Sequence, residues 1–173
     1  MAIFALAAVL ATAGAATPLP EPIAPASQGQ AQCYSPNLAA KTCASIAVYA
    51  RNAAGVIQNT ATVLIAKDPP VTMTTVSPVT ATNNRLCGST RAEDLNAATF
   101  TVGGAPADDA RALQLHEGVN RAFAPIIDHT LCVTFVADGS QFVAHSALDG
   151  LPRPGLDQRV MWVSLADGWK VAP

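Results

Sequence analysis

The stretch Cys132–Ala147, CVTFVADGSQFVAHSA, contains two apolar segments joined by a short turn. The pair Asp138-Gly139 lies between them, and glycine readily adopts the positive φ that a tight hairpin turn requires. The valine, phenylalanine and threonine residues on either side favour extended strands. The sequence therefore predicts an antiparallel β-hairpin at this position.

The segment before this hairpin has the pattern of an amphipathic helix. Pro106 stands near its first turn, and Asp108 and Asp109 follow where the helix dipole favours negative charge. Apolar residues recur at helical spacing and form one stripe: Ala112, Leu115, Val119, Ala122, Phe123 and Ile126. Pro125 is expected to end or kink the helix, because proline does not fit a helix interior. The apolar stripe needs a sheet to cover it.

Further strand patterns occur on both sides of the helix. Two apolar segments flank a turn at 52–55, a threonine- and valine-rich segment follows over 71–84, and RVMWVSL occupies 159–165. One main helix among many strands predicts the α+β class with a mostly antiparallel sheet. We expect a single domain over residues 33–173.

The N-terminus has the features of an export signal. No charged side chain precedes Glu21, an apolar run covers Ile3–Leu10, and residues 13–15 (Ala-Gly-Ala) resemble a signal-peptidase site. We expect residues 1–15 to be a cleaved signal peptide and the Pro/Ala/Gln-rich segment 16–32 to be a disordered linker. A membrane anchor needs ~20 apolar residues, and the apolar run here is much shorter. We therefore expect no membrane insertion after cleavage.

Four cysteines follow the predicted signal peptide: Cys33, Cys43, Cys87 and Cys132. Exported proteins fold in oxidising compartments, where paired thiols persist as disulfides. Four cysteines allow three pairings, of which we favour Cys33–Cys43 and Cys87–Cys132. Their spacings contain neither a zinc knuckle nor a C-x-x-C redox motif.

The composition indicates the cellular location of the protein and the class of its partner. Export and disulfides predict a periplasmic or secreted protein, and a high alanine content with few lysines favours a bacterial source. The formal charge is −2 and no basic stripe occurs, so we expect no nucleic-acid partner. The predicted partner is a protein or a small ligand that the sequence does not identify, and no oligomeric state is predicted.

The sequence contains no complete catalytic motif, and we expect no catalytic residue, metal or cofactor. His116-Glu117 begins an H-E-x-x-H pattern, but Asn120 stands where the second histidine is required. No G-x-S-x-G occurs either. The alternative is a small hydrolase or metal-dependent enzyme that uses His116, Glu117 and His129, provided that these side chains converge.

Two tryptophans and one loop are the best candidates for binding. Trp162 lies within a predicted strand, Trp169 follows that strand, and Arg153 lies in the loop sequence LDGLPRPGLDQ. These three residues predict a small apolar binding patch. The leading hypothesis is an exported, disulfide-stabilised binding or interaction module. A further alternative is an inhibitor-like protein that presents residues 149–158 as a rigid, protruding loop.

Overall fold

The computed structural model describes residues 17–173, which form a mostly antiparallel sheet with one main helix and two disulfides. The predicted signal peptide, residues 1–15, lies outside the described residues. The strands are β1 (Gln30–Tyr34), β2 (Thr42–Cys43), β3 (Ser45–Arg51), β4 (Ile57–Lys67), β5 (Pro70–Pro78), β6 (Thr80–Thr82), β7 (Arg85–Ser89), β8 (Thr99–Val102), β9 (Ala105–Pro106), β10 (Thr130–Asp138), β11 (Gln141–Leu148), β12 (Leu151–Pro152), β13 (Gln158–Ser164) and β14 (Lys170–Val171). Within residues 17–173 the α-helices are α1 (Ala92–Asn96) and α2 (Asp109–Phe123), and short 3-10 helices cover Ala24–Gln28, Ala124–Ile126, Pro154–Leu156 and Leu165–Asp167.

Twelve of these strands form one sheet that curls on itself. Its order is β6-β7-β10-β11-β13-β1-β3-β4-β5-β8-β9, with β12 paired to β11. The segment 70–82 joins the two sides of this order, because β5 pairs with β4 while β6, which follows directly, pairs with β7. The sheet therefore has an inner face around a core and an outer face. Outside it, β14 pairs in parallel with β2.

The hairpin forms where the sequence predicts it, and the helix forms with a later start: Pro106 lies in β9 and α2 begins at Asp109. β10 and β11 pair from Leu131–Leu148 to Asp138–Gln141, and Gly139 has a φ of +62° in the turn. The carboxylate of Asp108 caps α2 by accepting the Arg111 backbone N–H at 2.8 Å. The α-helix ends at Phe123, before Pro125.

The segment 17–32 is folded, which differs from the disordered linker that the sequence predicts. Ile23 is fully buried and Leu19 is buried beside it, both in the core inside the curled sheet. The backbone N–H of Leu19 donates to Ser27 Oγ at 2.7 Å, and β1 lies between β13 and β3. Prolines are compatible with this burial because they carry no N–H that must find a partner. The folded unit thus begins well before Cys33.

Three apolar clusters hold the elements together. The first lies inside the curled sheet: Leu19, Ile23, Ala47, Tyr49, Ile57, Ala81, Leu86, Phe135, Ala144 and Val160. The second lies on the outer face: Ala31, Cys33, Cys43, Ile46 and Val163. The third joins α1 and α2 to β5 and β8: Met73, Leu95, Ala98, Phe100 and Val119.

A satisfied polar group lies within the first cluster. Gln32 is almost fully buried, and its Oε1 accepts hydrogen bonds from Tyr34 Oη at 2.9 Å and Tyr49 Oη at 2.7 Å. Burial raises the pKa of Tyr34 to about 12 and the pKa of Tyr49 well above its ordinary value. Both hydroxyls therefore stay protonated, and the group has a structural role.

The disulfides are Cys33–Cys43 and Cys87–Cys132, the pairs that the spacing favours. Cys33 and Cys43 are fully buried in the second cluster. Cys87 lies directly opposite Cys132 on the neighbouring strands β7 and β10, and it borders an open groove of about 320 Å³.

We expect the two disulfides to differ in their rates of reduction under native conditions. A thiol reagent reaches Cys87 from the groove, whereas Cys33 and Cys43 are shielded by the second cluster. Dithiothreitol followed by alkylation and peptide mass spectrometry should label Cys87 and Cys132 first. Earlier labelling of Cys33 and Cys43 would mean that the second cluster does not shield their disulfide.

Candidate functional site

The structure does not bring the three predicted binding residues together. Trp162 lies on the inner face of β13, with its ring edge-on to Tyr49 and the ring centroids 6.4 Å apart. Trp169 packs against the second cluster on the outer face. Arg153 is exposed in the loop between β11 and β13. The predicted single patch is therefore not formed, and each residue has a different environment.

The residues of the enzyme alternative have separate environments. His116 lies on α2 and packs edge-on against Phe100, at a centroid distance of 4.9 Å. Glu117 is exposed, and His129 pairs through Nδ1 with Asp149. Within residues 17–173, no group of three or more His, Cys, Asp or Glu side chains is placed to hold a metal ion.

The loop between β11 and β13 exposes two leucines to solvent. We call residues 149–157 the contact loop. Leu151 is 63% exposed and Leu156 is 51% exposed, and the residues between them are also exposed: Pro152, Arg153, Pro154 and Gly155. The loop thus presents one exposed leucine on each side of the Arg153 cation.

An aspartate anchors each end of the contact loop in the same way. At the start, Asp149 Oδ2 pairs with His129 Nδ1 while Oδ1 accepts the Thr130 backbone N–H at 2.9 Å. At the end, Asp157 Oδ2 lies 2.7 Å from His145 Nδ1 while Oδ1 accepts the Ser146 backbone N–H at 2.9 Å. Each carboxylate therefore binds one histidine ring and one backbone amide of the adjacent strands.

The interior of the contact loop is also tied to β11. Its first residues form a tight turn, with φ of +49° at Asp149 and +81° at Gly150, and β12 then pairs back onto β11. The Arg153 N–H donates to Ser146 O at 2.8 Å, and Ser146 Oγ donates to the Leu156 carbonyl at 3.2 Å. Hydrogen bonds at both ends and in the middle fix the loop backbone.

Both anchoring aspartates are stabilised as carboxylates. The hydrogen bonds from His129 and from the Thr130 amide lower the pKa of Asp149 below its ordinary value. The Ser146 amide, followed by His145, lowers the pKa of Asp157. Hydrogen bonds that favour the charged form lower a carboxyl pKa in this way.

We expect acid to release the contact loop. Because folding lowers both aspartate pKa values, their contribution is complete above the ordinary value of 3.8 and is lost as the pH falls through the folded pKa values. NMR amide-proton shifts of Thr130 and Ser146 should therefore titrate below 3.8. Asp157→Asn should remove the Ser146 transition and leave that of Thr130. A Ser146 transition below 3.8 that persists in Asp157→Asn would contradict the anchoring.

The sequence interpretation missed Asp149, His145, Ser146 and Asp157 as parts of one arrangement. The available indication was the repeated Leu-Asp pair, at 148–149 and 156–157, on both sides of LPRPG. The alternation of β11 alone does not show that the loop folds back toward His145.

No protein-family model matches this chain, and neither a curated protein nor a solved structure shows significant similarity to it. No helix over residues 17–173 is long and apolar enough to cross a membrane.

Proposed function

We propose that this protein is an exported interaction module that binds a partner protein through the contact loop. One observation carries the proposal: exposed leucines and an arginine lie on a loop that is anchored at both ends by matching histidine–aspartate–amide contacts. The two disulfides are consistent with an oxidising, exported environment, in support of a periplasmic or secreted location.

Pre-organisation gives the contact loop its advantage in binding. Ordering a mobile side chain on association costs roughly 0.5–1.5 kcal/mol, in addition to the cost of ordering the backbone. The hydrogen bonds of Ser146 and Asp157 already fix the backbone around Arg153 and Leu156. More of the free energy of burying the leucines is therefore available for affinity.

The chemistry of the contact loop describes the partner surface that fits it. Leu151 and Leu156 require an apolar pocket, and Arg153 requires an acidic group or a carbonyl-rich rim beside that pocket. Because the Arg153 N–H is already bonded to Ser146 O, we expect contact through side chains rather than strand pairing. An inhibitor that acts through residues 149–158 is one form of this proposal.

Capture experiments with loop variants test the proposal. Immobilised wild-type protein is incubated with envelope and secreted fractions of its source organism, and a retained partner is then titrated. Leu151→Ser and Arg153→Ala should each weaken binding at least about tenfold. Leu113→Ser on α2 is the matched control, because Leu113 is 62% exposed and Leu151 is 63% exposed.

Two results would contradict the proposal. One is equal loss of binding in Leu113→Ser and Leu151→Ser, which would show a non-specific effect of removing exposed leucines. The other is retention of the partner by a protein that carries both loop substitutions. Circular dichroism of every variant checks that the sheet is intact.

A further inference from the structure

A second concave surface lies on the outer face of the sheet, and none of its lining residues belongs to the contact loop. It is an open groove of about 530 Å³ between strands β3, β4, β5 and β8, which form its floor, and residues 165–173, which form a wall. This volume lies within the range of roughly 300–1,000 Å³ that is typical of ligand sites. The groove is open to solvent along its length, which suits an extended ligand.

Four threonines line the groove floor, Thr60, Thr62, Thr72 and Thr101, and they belong to a pattern that repeats on three strands. Thr-x-Thr occurs at 60–62 on β4, at 72–74 on β5 and at 99–101 on β8. The residues between the threonines of β5 and β8, Met73 and Phe100, are buried in the third cluster. Side chains alternate across a strand, so the threonines of these neighbouring strands share the outer face.

The threonine hydroxyls form hydrogen bonds to each other across the strands, and each pair still has one O–H donor without an acceptor among the described residues. Thr62 Oγ1 lies 3.0 Å from Thr74 Oγ1, and Thr72 Oγ1 lies 2.7 Å from Thr101 Oγ1. In each pair one hydroxyl donates, and the accepting hydroxyl retains a hydrogen that no other group in residues 17–173 accepts. A purely apolar ligand would bury these hydrogens without an acceptor, whereas a hydroxylated ligand would satisfy them.

The groove has little charge, which argues against a highly charged ligand, and it has an aromatic residue in its wall. Lys170 is the single charged side chain among the lining residues, so a ligand with many charges would lack counterions. Trp169 is half-buried and lines the groove wall. The surface thus combines neutral hydroxyls, methyl groups and an aromatic face.

We propose that this groove binds a neutral, linear oligosaccharide. Sugar hydroxyls accept hydrogen bonds from the threonine floor, and the C–H faces of the sugar rings pack on the threonine methyls and on Trp169. Threonine hydroxyls recur along each strand and from strand to strand. A linear oligosaccharide likewise carries hydroxyls at regular intervals. This inference does not depend on the contact loop.

Fluorescence of Trp169 tests the inference directly. The chain contains two tryptophans, so Trp162→Phe leaves Trp169 as the single tryptophan. This variant is titrated with linear oligomers of glucose, of mannose and of N-acetylglucosamine at millimolar concentrations. We expect a saturable change in Trp169 emission with one of them. Thr72→Val should weaken that binding at least about tenfold, whereas Thr134→Val, on β10 outside the groove, should leave it unchanged.

Acidic and apolar ligands provide the opposing outcomes. Saturable binding of oligogalacturonate or decanoate, with no response to any neutral oligomer, would overturn the proposal, and so would the absence of a response to every ligand. Equal effects of Thr72→Val and Thr134→Val would also overturn it. Calorimetric titration of the wild-type protein with the same ligands gives the answer if Trp162→Phe does not fold.

Discussion

Ile23→Ala is expected to lower the free energy of unfolding by about 3 kcal/mol, within the range of 2–5 kcal/mol for such core truncations. Ile23 has no exposed surface and packs among residues of the curled sheet, including Tyr49 and Val160. Removing its side chain leaves a cavity that strands on several sides cannot easily fill. Urea denaturation of the oxidised protein measures the loss.

The matched control for this prediction is Ile65→Ala. Ile65 lies on β4 and is 37% exposed, so the same chemical change should cost less than about 1 kcal/mol, the span of strand preferences. If Ile23→Ala cost no more than Ile65→Ala, residues 17–29 would not belong to the core. The described burial of the segment around Leu19 would then be wrong.

Removal of the Cys87–Cys132 disulfide is expected to cost about 4 kcal/mol, because the disulfide restricts a long loop in the unfolded chain. The two cysteines are 45 positions apart, compared with 10 for Cys33 and Cys43. The same chain-entropy argument gives about 3 kcal/mol for the shorter loop. Total stabilities of about 5–15 kcal/mol make either loss large.

Paired cysteine-to-alanine variants and urea denaturation measure these losses. The variant Cys87→Ala/Cys132→Ala should unfold at clearly lower urea than the wild type. The wild type under reducing conditions loses both disulfides and should unfold at lower urea still. A loss below about 1 kcal/mol would contradict the chain-entropy expectation for this loop. The Cys33→Ala/Cys43→Ala variant serves as the comparison.

The parts of the fold that the sequence predicts depend on local patterns. The β10–β11 hairpin follows from Asp138-Gly139 between apolar strands, and α2 follows from its apolar stripe, Asp108 and Pro125. The disulfide pairs agree with the spacing of the cysteines. Each of these features is determined by residues close together in the chain or by a small number of possible pairings.

The parts that the sequence does not predict depend on contacts between distant residues. The burial of Leu19 and Ile23 requires the curled sheet around them, and a proline-rich segment without periodicity gives no local indication of it. The separation of Trp162 from Trp169 follows from the alternation of β13 and from the packing of the C-terminal segment on the second cluster.

The contact loop likewise depends on contacts between distant residues, which the sequence does not predict. Asp149 meets His129 and Asp157 meets His145 only after β10, β11 and β12 have paired. From the sequence, Arg153 is a candidate because it lies in the loop that is expected to border the tryptophan patch. The anchors that hold it in place are long-range hydrogen bonds, which composition and periodicity do not encode.

Site-specific photo-crosslinking shows whether the contact loop binds a partner protein. A photoreactive residue replaces Leu151 in one protein and Leu113 in another, two positions with nearly equal exposure of 63% and 62%. Both proteins are produced in the source organism with the N-terminal segment intact and are irradiated in intact cells and in culture medium. The account predicts a discrete crosslinked protein from position 151 and none from position 113. Equal crosslinking from both positions, or crosslinking from position 113 alone, would contradict it.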